Sequence, residues 1–194
     1  MDFEQEKRGI ILSALNKSGL KEIIDIPHEY SIFYDLIYSF TSLSVSVKHT
    51  TSLTKDIKEL SFLGDEAVYF AAALGDVDQF CKIHNIFSTS DKIICDSLFS
   101  AILDFQVKSY IDLLYGEEFK LFCPGYNGTS VKLNSEIVKQ LGWRTSLRVL
   151  DTGGLFPQKS VCGVLIKGLK FSCKGCILIK ECKYLKNKTK CYES

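Results

Sequence analysis

The sequence predicts an α+β domain, an antiparallel sheet flanked by helices. Three observations carry that expectation. Segments with helical spacing and segments with strand alternation both recur along the 194 residues. They follow one another without a strict β-α-β rhythm, which argues against a parallel sheet. Turn signals rather than linkers separate them, since the chain has only three prolines and no Ser/Gly-rich tract. With 46% apolar residues the chain can bury a proper core, and no internal repeat is visible.

The elements follow in order. Residues 4–18 read as a helix with Ile11, Leu12 and Leu15 on one face and Gly19 as its stop. Phe33, Leu36, Ile37 and Phe40, at spacings of three, one and three, predict a second helix over 30–40. Leu43, Val45 and Val47 alternate with Ser44, Ser46 and Lys48, the pattern of a half-buried strand. The apolar run 67–75 suits a buried strand or a short core helix; its shortness and its Gly75-Asp76 ending favour the strand. Val77, Phe80, Cys81 and His84 give a short helix near 76–86. The longest helix is predicted over about 91–115, with Ser90 as N-cap and a stripe of Ile94, Leu98, Ala101, Ile102, Phe105 and Leu113. Glu118–Phe122 reads as a strand broken at Pro124-Gly125, and Asn127-Gly128 is a second turn signal. Val131, Ile137 and Leu141 fit a helix over 131–141, and 147–150 and 161–166 complete two further strands.

The bulk numbers exclude several classes. Formal net charge is +1, so nothing global argues for nucleic acid. No stretch of 18 apolar residues predicts a membrane span. The acidic N-terminus lacks a secretory signal pattern, and a cytoplasmic location is expected. There the eight cysteines read as thiols or metal ligands, not as a disulfide framework. Phosphate-loop, dinucleotide-fold, zinc-protease and nucleophile-elbow motifs are absent from the sequence. The histidines at 28, 49 and 84 are isolated.

Two successive turn signals after a strand make a compact loop at 122–128. Proline fixes one backbone angle there, and glycine admits positive φ and close approach of a ligand. Tyr126 offers a flat face and a hydroxyl suited to an adenine or ribose; an ordinary connection with a packed tyrosine is the alternative. Phe156-Pro157-Gln158-Lys159-Ser160-Val161-Cys162-Gly163 follows some thirty residues later. Its Lys159 and Ser160 could line the same cavity; alternatively Pro157 and Ser160 shape a turn, with Val161 and Val164 in the core.

These two stretches, in this order and with a helix between them, resemble the signature segments of the activation domain of cobalamin-dependent methionine synthase. That family carries an Arg-x-x-Pro-Gly-Tyr segment and a stretch ending Pro-x-x-Ser-Val-Ser-Gly. Ala71-Ala72-Ala73-Leu74-Gly75 resembles the family's Ala-Thr-Leu-Gly element, and Asp96 to Asp104 its Asp-Ala-(x)6-Glu helix. The resemblance spans about 60–168 and is nearest to compact stand-alone relatives. It implies a methionine synthase activation domain-like fold over 1–168; the Cys/Lys-rich tail over 169–194 is not explained by it. It implies S-adenosylmethionine bound around Cys123, Pro124, Gly125 and Tyr126. It also implies a corrinoid partner, a cobalamin-dependent methionine synthase whose cobalamin is reductively methylated. Two positions depart. Leu121 stands where the family has an arginine for the ligand carboxylate, a charge-assisted contact worth roughly 1.5–3 kcal/mol. Lys120 is adjacent, but strand alternation points it to the opposite face. Leu165 stands where a tyrosine is expected.

The tail carries Cys173-Lys174-Gly175-Cys176, then Cys182 and Cys191. A Cys-x2-Cys knuckle brings two thiolates to one ion or cluster edge, and two more sulfurs complete a four-coordinate site. The irregular later spacing leaves an iron–sulfur cluster, zinc and unliganded thiols all open. From residue 167 onward eight lysines stand against Glu181 and Glu193. They offset thiolate charge, form a docking surface or simply solvate a terminus. A cluster beside a methyl-donor site suits electron delivery to cobalamin, as in larger corrinoid activators with ferredoxin-like domains. Cys81, Cys95, Cys123 and Cys162 read as small core residues, and Asp96 and Asp104 as a packing or partner-facing pair.

Overall fold

The computed structural model describes residues 3–17, 28–40, 42–50, 67–75, 77–83, 89–125 and 129–167. The helices are α1 (Phe3–Lys17), α2 (His28–Phe40), α3 (Val77–Ile83), α4 (Thr89–Tyr115) and α5 (Leu133–Leu141), with a 3-10 turn at Gly142–Arg144. The strands are β1 (Leu43–Thr50), β2 (Ala67–Leu74), β3 (Phe119–Phe122), β4 (Arg148–Val149), β5 (Leu155–Phe156) and β6 (Ser160–Lys167). Four of them form one sheet in the order β1-β2-β6-β3, with every neighbouring pair antiparallel. β4 and β5 make a separate two-stranded ribbon. The α+β class with an antiparallel, helix-flanked sheet is thus observed.

β2 explains the layering. Its side chains alternate between faces, and both faces are apolar. Val68, Phe70, Ala72 and Leu74 enter one core; Tyr69, Ala71 and Ala73 enter another. The first core is covered by α1, α2 and α4 through Ile11, Leu15, Tyr34, Ile37, Leu98, Phe99 and Ile102. The second is covered by α5 through Leu133, Ile137 and Leu141, with Leu147 beside them. An antiparallel sheet normally wets one face; here both are dry, which is why 67–74 reads as an unbroken apolar run.

Helix α1 carries Glu4 and Glu6 in its first turn and Lys17 in its last, matching the helix dipole. Lys7 buries its stem and reaches Asp35 at 2.9 Å, with its ammonium 5.6 Å from the Tyr34 ring centre, fastening α1 to α2. Helix α4 is 27 residues long, about 40 Å at 1.5 Å per residue. In its middle, Cys95, Leu98, Phe99, Ala101, Ile102 and Leu103 are all buried. Sandwiched between the sheet and α1, it needs no narrow stripe.

Several expectations are corrected. α4 begins at Thr89, so Ser90 lies inside the helix instead of capping it. Leu113, placed in the apolar stripe, is 82% exposed because the last turns bury a different face, through Val107 and Ile111. α5 starts at Leu133, after a turn at 131–132. The strand expected over 147–150 shrinks to Arg148–Val149, whose partner β5 was not foreseen. Gly19 and His84 fall outside the described residues.

The tightest approach in the sheet is between β6 and β3. A β-carbon at Gly163 would sit 2.3 Å from the Phe122 carbonyl oxygen, well inside van der Waals contact. Gly163→Ala is therefore expected to cost about 3 kcal/mol. Gly9, within α1, has no neighbour within 4 Å of such a carbon. Gly9→Ala is expected to gain about 0.5–1 kcal/mol from helix propensity. Urea denaturation of the two variants measures both, and opposite signs are the expected outcome.

Candidate functional site

Four stretches distant in sequence meet at one end of the sheet. The turn Cys123-Pro124-Gly125 leaves the end of β3, whose last residue, Phe122, pairs with Val164 of β6. The segment entering β6 therefore runs beside the turn. Its Lys159 carbonyl accepts the Leu74 N–H at 2.9 Å, tying in the end of β2. Its Lys159 ammonium reaches α4, 2.7 Å from Asp96 Oδ1 and 2.8 Å from Ser100 Oγ. One helical turn beyond Ser100, Asp104 pairs with Lys17 of α1. Asp96, Ser100 and Asp104 thus form an i, i+4, i+8 row along α4.

Gly125 has φ +91°, in the left-handed region that glycine occupies without strain. A β-carbon there would lie 3.0 Å from Val131 Cγ1. Pro124 is buried and Cys123 half-buried. Burial pushes the Cys123 thiol up to about 12, with Cys162 and then the Asp104 carboxylate adding to the rise. Cys162, also raised to about 12 by burial, donates to Asn134 Oδ1 at 3.2 Å. Tyr126, Asn127 and Gly128 lie outside the described residues.

Of the alternatives for the Pro157–Gly163 segment, the turn with core valines is the one observed. Ser160 Oγ donates to the Pro157 carbonyl at 2.5 Å and closes a turn. Val164 is buried and Val161 packs against the first core. Lys159, by contrast, is a buried cation, with 8% of its side chain exposed against 53% for Asp96. The cysteine reading is refined in the same way: Cys95 and Cys162 are buried, and Cys81 and Cys123 only partly so.

Asn134 was missed by sequence reasoning. It is buried on the apolar face of α5, donating from Nδ2 to the Gly153 carbonyl at 2.8 Å while accepting from Cys162. It links the β4–β5 loop to β6 beneath the turn. The available signal was an amide at a core position, in the row 134, 137, 141.

Leu121 and Leu165, the two departures from the resemblance, are cross-strand partners. Both belong to the first core, and Leu165 is fully buried. Among the described residues no group of three His, Cys, Asp or Glu stands together as a metal site. Cys173, Cys176, Cys182 and Cys191 lie outside the described residues. No described helix is long and apolar enough to cross a membrane. Compared with protein-family models and with curated proteins, the chain matches none.

Removing either partner of the Lys159–Asp96 pair has unequal consequences. Lys159→Met leaves a carboxylate that water already reaches, at a cost of about 1 kcal/mol. Asp96→Ala strands a buried ammonium on one hydroxyl, at a cost of about 3 kcal/mol. Denaturant midpoints give the order, and a larger loss for Lys159→Met would contradict it.

The raised thiols set a pH dependence. Cys95, Cys123 and Cys162 go from 9.0 to about 12 on folding. Between those values the folded state holds protons that the unfolded chain has released. Their contribution is complete below 9.0 and is lost as pH rises toward 12. Stability measured stepwise from neutral pH upward is expected to fall above 9.0, with a shallower fall in Cys162→Ala.

Proposed function

We propose that the chain binds S-adenosylmethionine at this end of the sheet and docks on the corrinoid-bearing domain of a cobalamin-dependent methyltransferase, methionine synthase, for its reductive reactivation. The observation that carries the reading is the convergence just described. The described parts of the stretches that carry the resemblance to the activation domain, 71–75, 96–104, 121–125 and 156–163, come together around one turn. The antiparallel, helix-flanked sheet is compatible with that fold.

When bound, S-adenosylmethionine supplies an electrophilic methyl group on a sulfonium. The chain's own residues bind and orient it. Gly125 lets the main chain approach the nucleoside, and Cys123 and Pro124 shape the turn before Tyr126. A thiolate beside a sulfonium would be a competing nucleophile. The Cys123 thiol, raised to about 12, stays protonated at neutral pH and does not compete. The four tail cysteines, with their lysines, are assigned to an iron–sulfur cluster or zinc, the former suiting electron delivery to the partner.

A second reading is favoured by Leu121 and Leu165: a cluster- or metal-binding interaction module that keeps the fold without S-adenosylmethionine. Calorimetric titration separates the two. Saturable heat with S-adenosylmethionine is expected; no heat at millimolar ligand selects the second reading. Anaerobically purified protein is expected to be coloured and to contain iron, and a colourless, iron-free sample removes the electron relay.

A further inference from the structure

A groove of about 440 Å³ lies along the first three turns of α4, beside the last residue of α1. Its lining is Thr89, Lys92, Ile93, Asp96 and Ser97 from α4 and Lys17 from α1. The α4 positions recur at spacings of three and four, so they form one face of the helix. The groove is wide open to solvent.

Its charges are of both signs and unequally engaged. Lys17 is held by Asp104, and Asp96 Oδ1 by Lys159. Asp96 Oδ2 remains able to accept, and the carboxylate is half-exposed. Lys92 is exposed and has no ion-pair partner among the described residues. Ser97, only 7% exposed, lines the groove with no hydrogen-bond partner among the described residues. Its hydroxyl is not a buried unpaired group; it opens on the groove, where it can donate to or accept from a ligand's polar atom. Lys92 lies in the first turn of α4, where free N–H groups and the helix dipole also favour an anion. Next to it, one turn along, stands the carboxylate of Asp96.

A cation and a carboxylate one helical turn apart, with the apolar Ile93 between them and the Ser97 hydroxyl next to Asp96, complement a zwitterion. We propose that this groove receives the amino-acid end of the ligand, with Lys92 partnering its carboxylate and Asp96 Oδ2 its ammonium. The proposal rests on the S-adenosylmethionine reading for what lies at the ligand's other end. Asp96 joins the groove to Lys159, and Lys17 joins it to Asp104, whose carboxylate acts on Cys123. The groove therefore supplies from α4 the carboxylate partner that Leu121 does not supply from β3.

The test is calorimetric titration of the full chain and of Lys92→Glu with three ligands. L-methionine carries only the amino-acid end, 5′-methylthioadenosine only the nucleoside end, and S-adenosylmethionine both. Wild type is expected to bind L-methionine at millimolar concentration and S-adenosylmethionine at least about tenfold more tightly than 5′-methylthioadenosine. Lys92→Glu is expected to abolish the first and erase the second difference. Lys92 is exposed, so the variant should fold; Ser97→Ala, a smaller change, is expected to weaken L-methionine by about threefold. The inference is overturned if L-methionine gives no heat, or if Lys92→Glu leaves S-adenosylmethionine affinity unchanged. Binding of 5′-methylthioadenosine with no response to L-methionine retains the nucleoside site and removes the groove. Lys92-dependent binding of L-methionine without S-adenosylmethionine or 5′-methylthioadenosine does the reverse.

Discussion

The burial of β2 on both faces is the constraint from which the rest of the described structure follows. A strand whose every side chain is apolar needs a cover above and below. The cover on one side is the helical layer of α1, α2 and α4, and on the other the short α5. Its neighbours must also be strands, since a buried backbone has no water to bond. β1 and β6 meet that need along almost its whole length. Register is fixed by the same logic, because a slip of one residue would exchange the two faces. Once Ala73 pairs with Ser160 and Phe122 with Val164, the end of β2, the start of β6 and the end of β3 fall together. The convergence of motifs at one sheet end is thus a consequence of register, not a separate feature.

The ionic groups at that end are arranged for internal neutrality. Asp96 answers Lys159 and Asp104 answers Lys17, so two carboxylates and two ammonium groups cancel locally. Of the four, only the Lys159 side chain is deeply buried, and it is the one with two partners. This follows from the cost of desolvating a charge, which falls on the group that water cannot reach. A neutral but strongly dipolar surface does not attract a polyanion through long-range fields. It suits a ligand that carries both charges itself.

Much of the fold was legible because the periodicities are clean. The alternation of Leu43, Val45 and Val47 and the spacing in α2 give the right element with nearly the right bounds. The 67–74 run was assignable as a strand, although its two-sided burial was not, since periodicity is silent when both faces are apolar. Helix α4 was legible but its apolar stripe was not at Leu113, because over its last turns the buried face passes through Val107 and Ile111 instead. The β4–β5 ribbon was only half seen: two-residue strands carry too little pattern. At the site, Cys123, Pro124 and Gly125 could be singled out as a turn from their own chemistry. Lys159 was legible only as a residue near the turn. Its partners, Asp96 and Ser100, lie about sixty positions away, and no local signal pairs them. Asn134 escaped for the same reason, its partners being Gly153 and Cys162.

The two departures from the resemblance are physically one departure. Leu121 and Leu165 are opposite each other on adjacent strands, and both pack into the core beneath α4. Cross-strand neighbours are chosen together, because each is the other's nearest surface. An arginine at the half-buried position 121 would lay its stem against the fully buried Leu165 and lose the apolar contact the leucine makes there. A tyrosine at 165 facing Leu121 would need a partner for its hydroxyl. The leucine pair therefore removes both polar groups at once and packs this stretch of β3 and β6 against the core. Any recognition of a charged ligand end must then come from elements that still meet solvent. At this end of the sheet those are α4 and the last turn of α1, where Lys92, Asp96 and Lys17 stand around the groove.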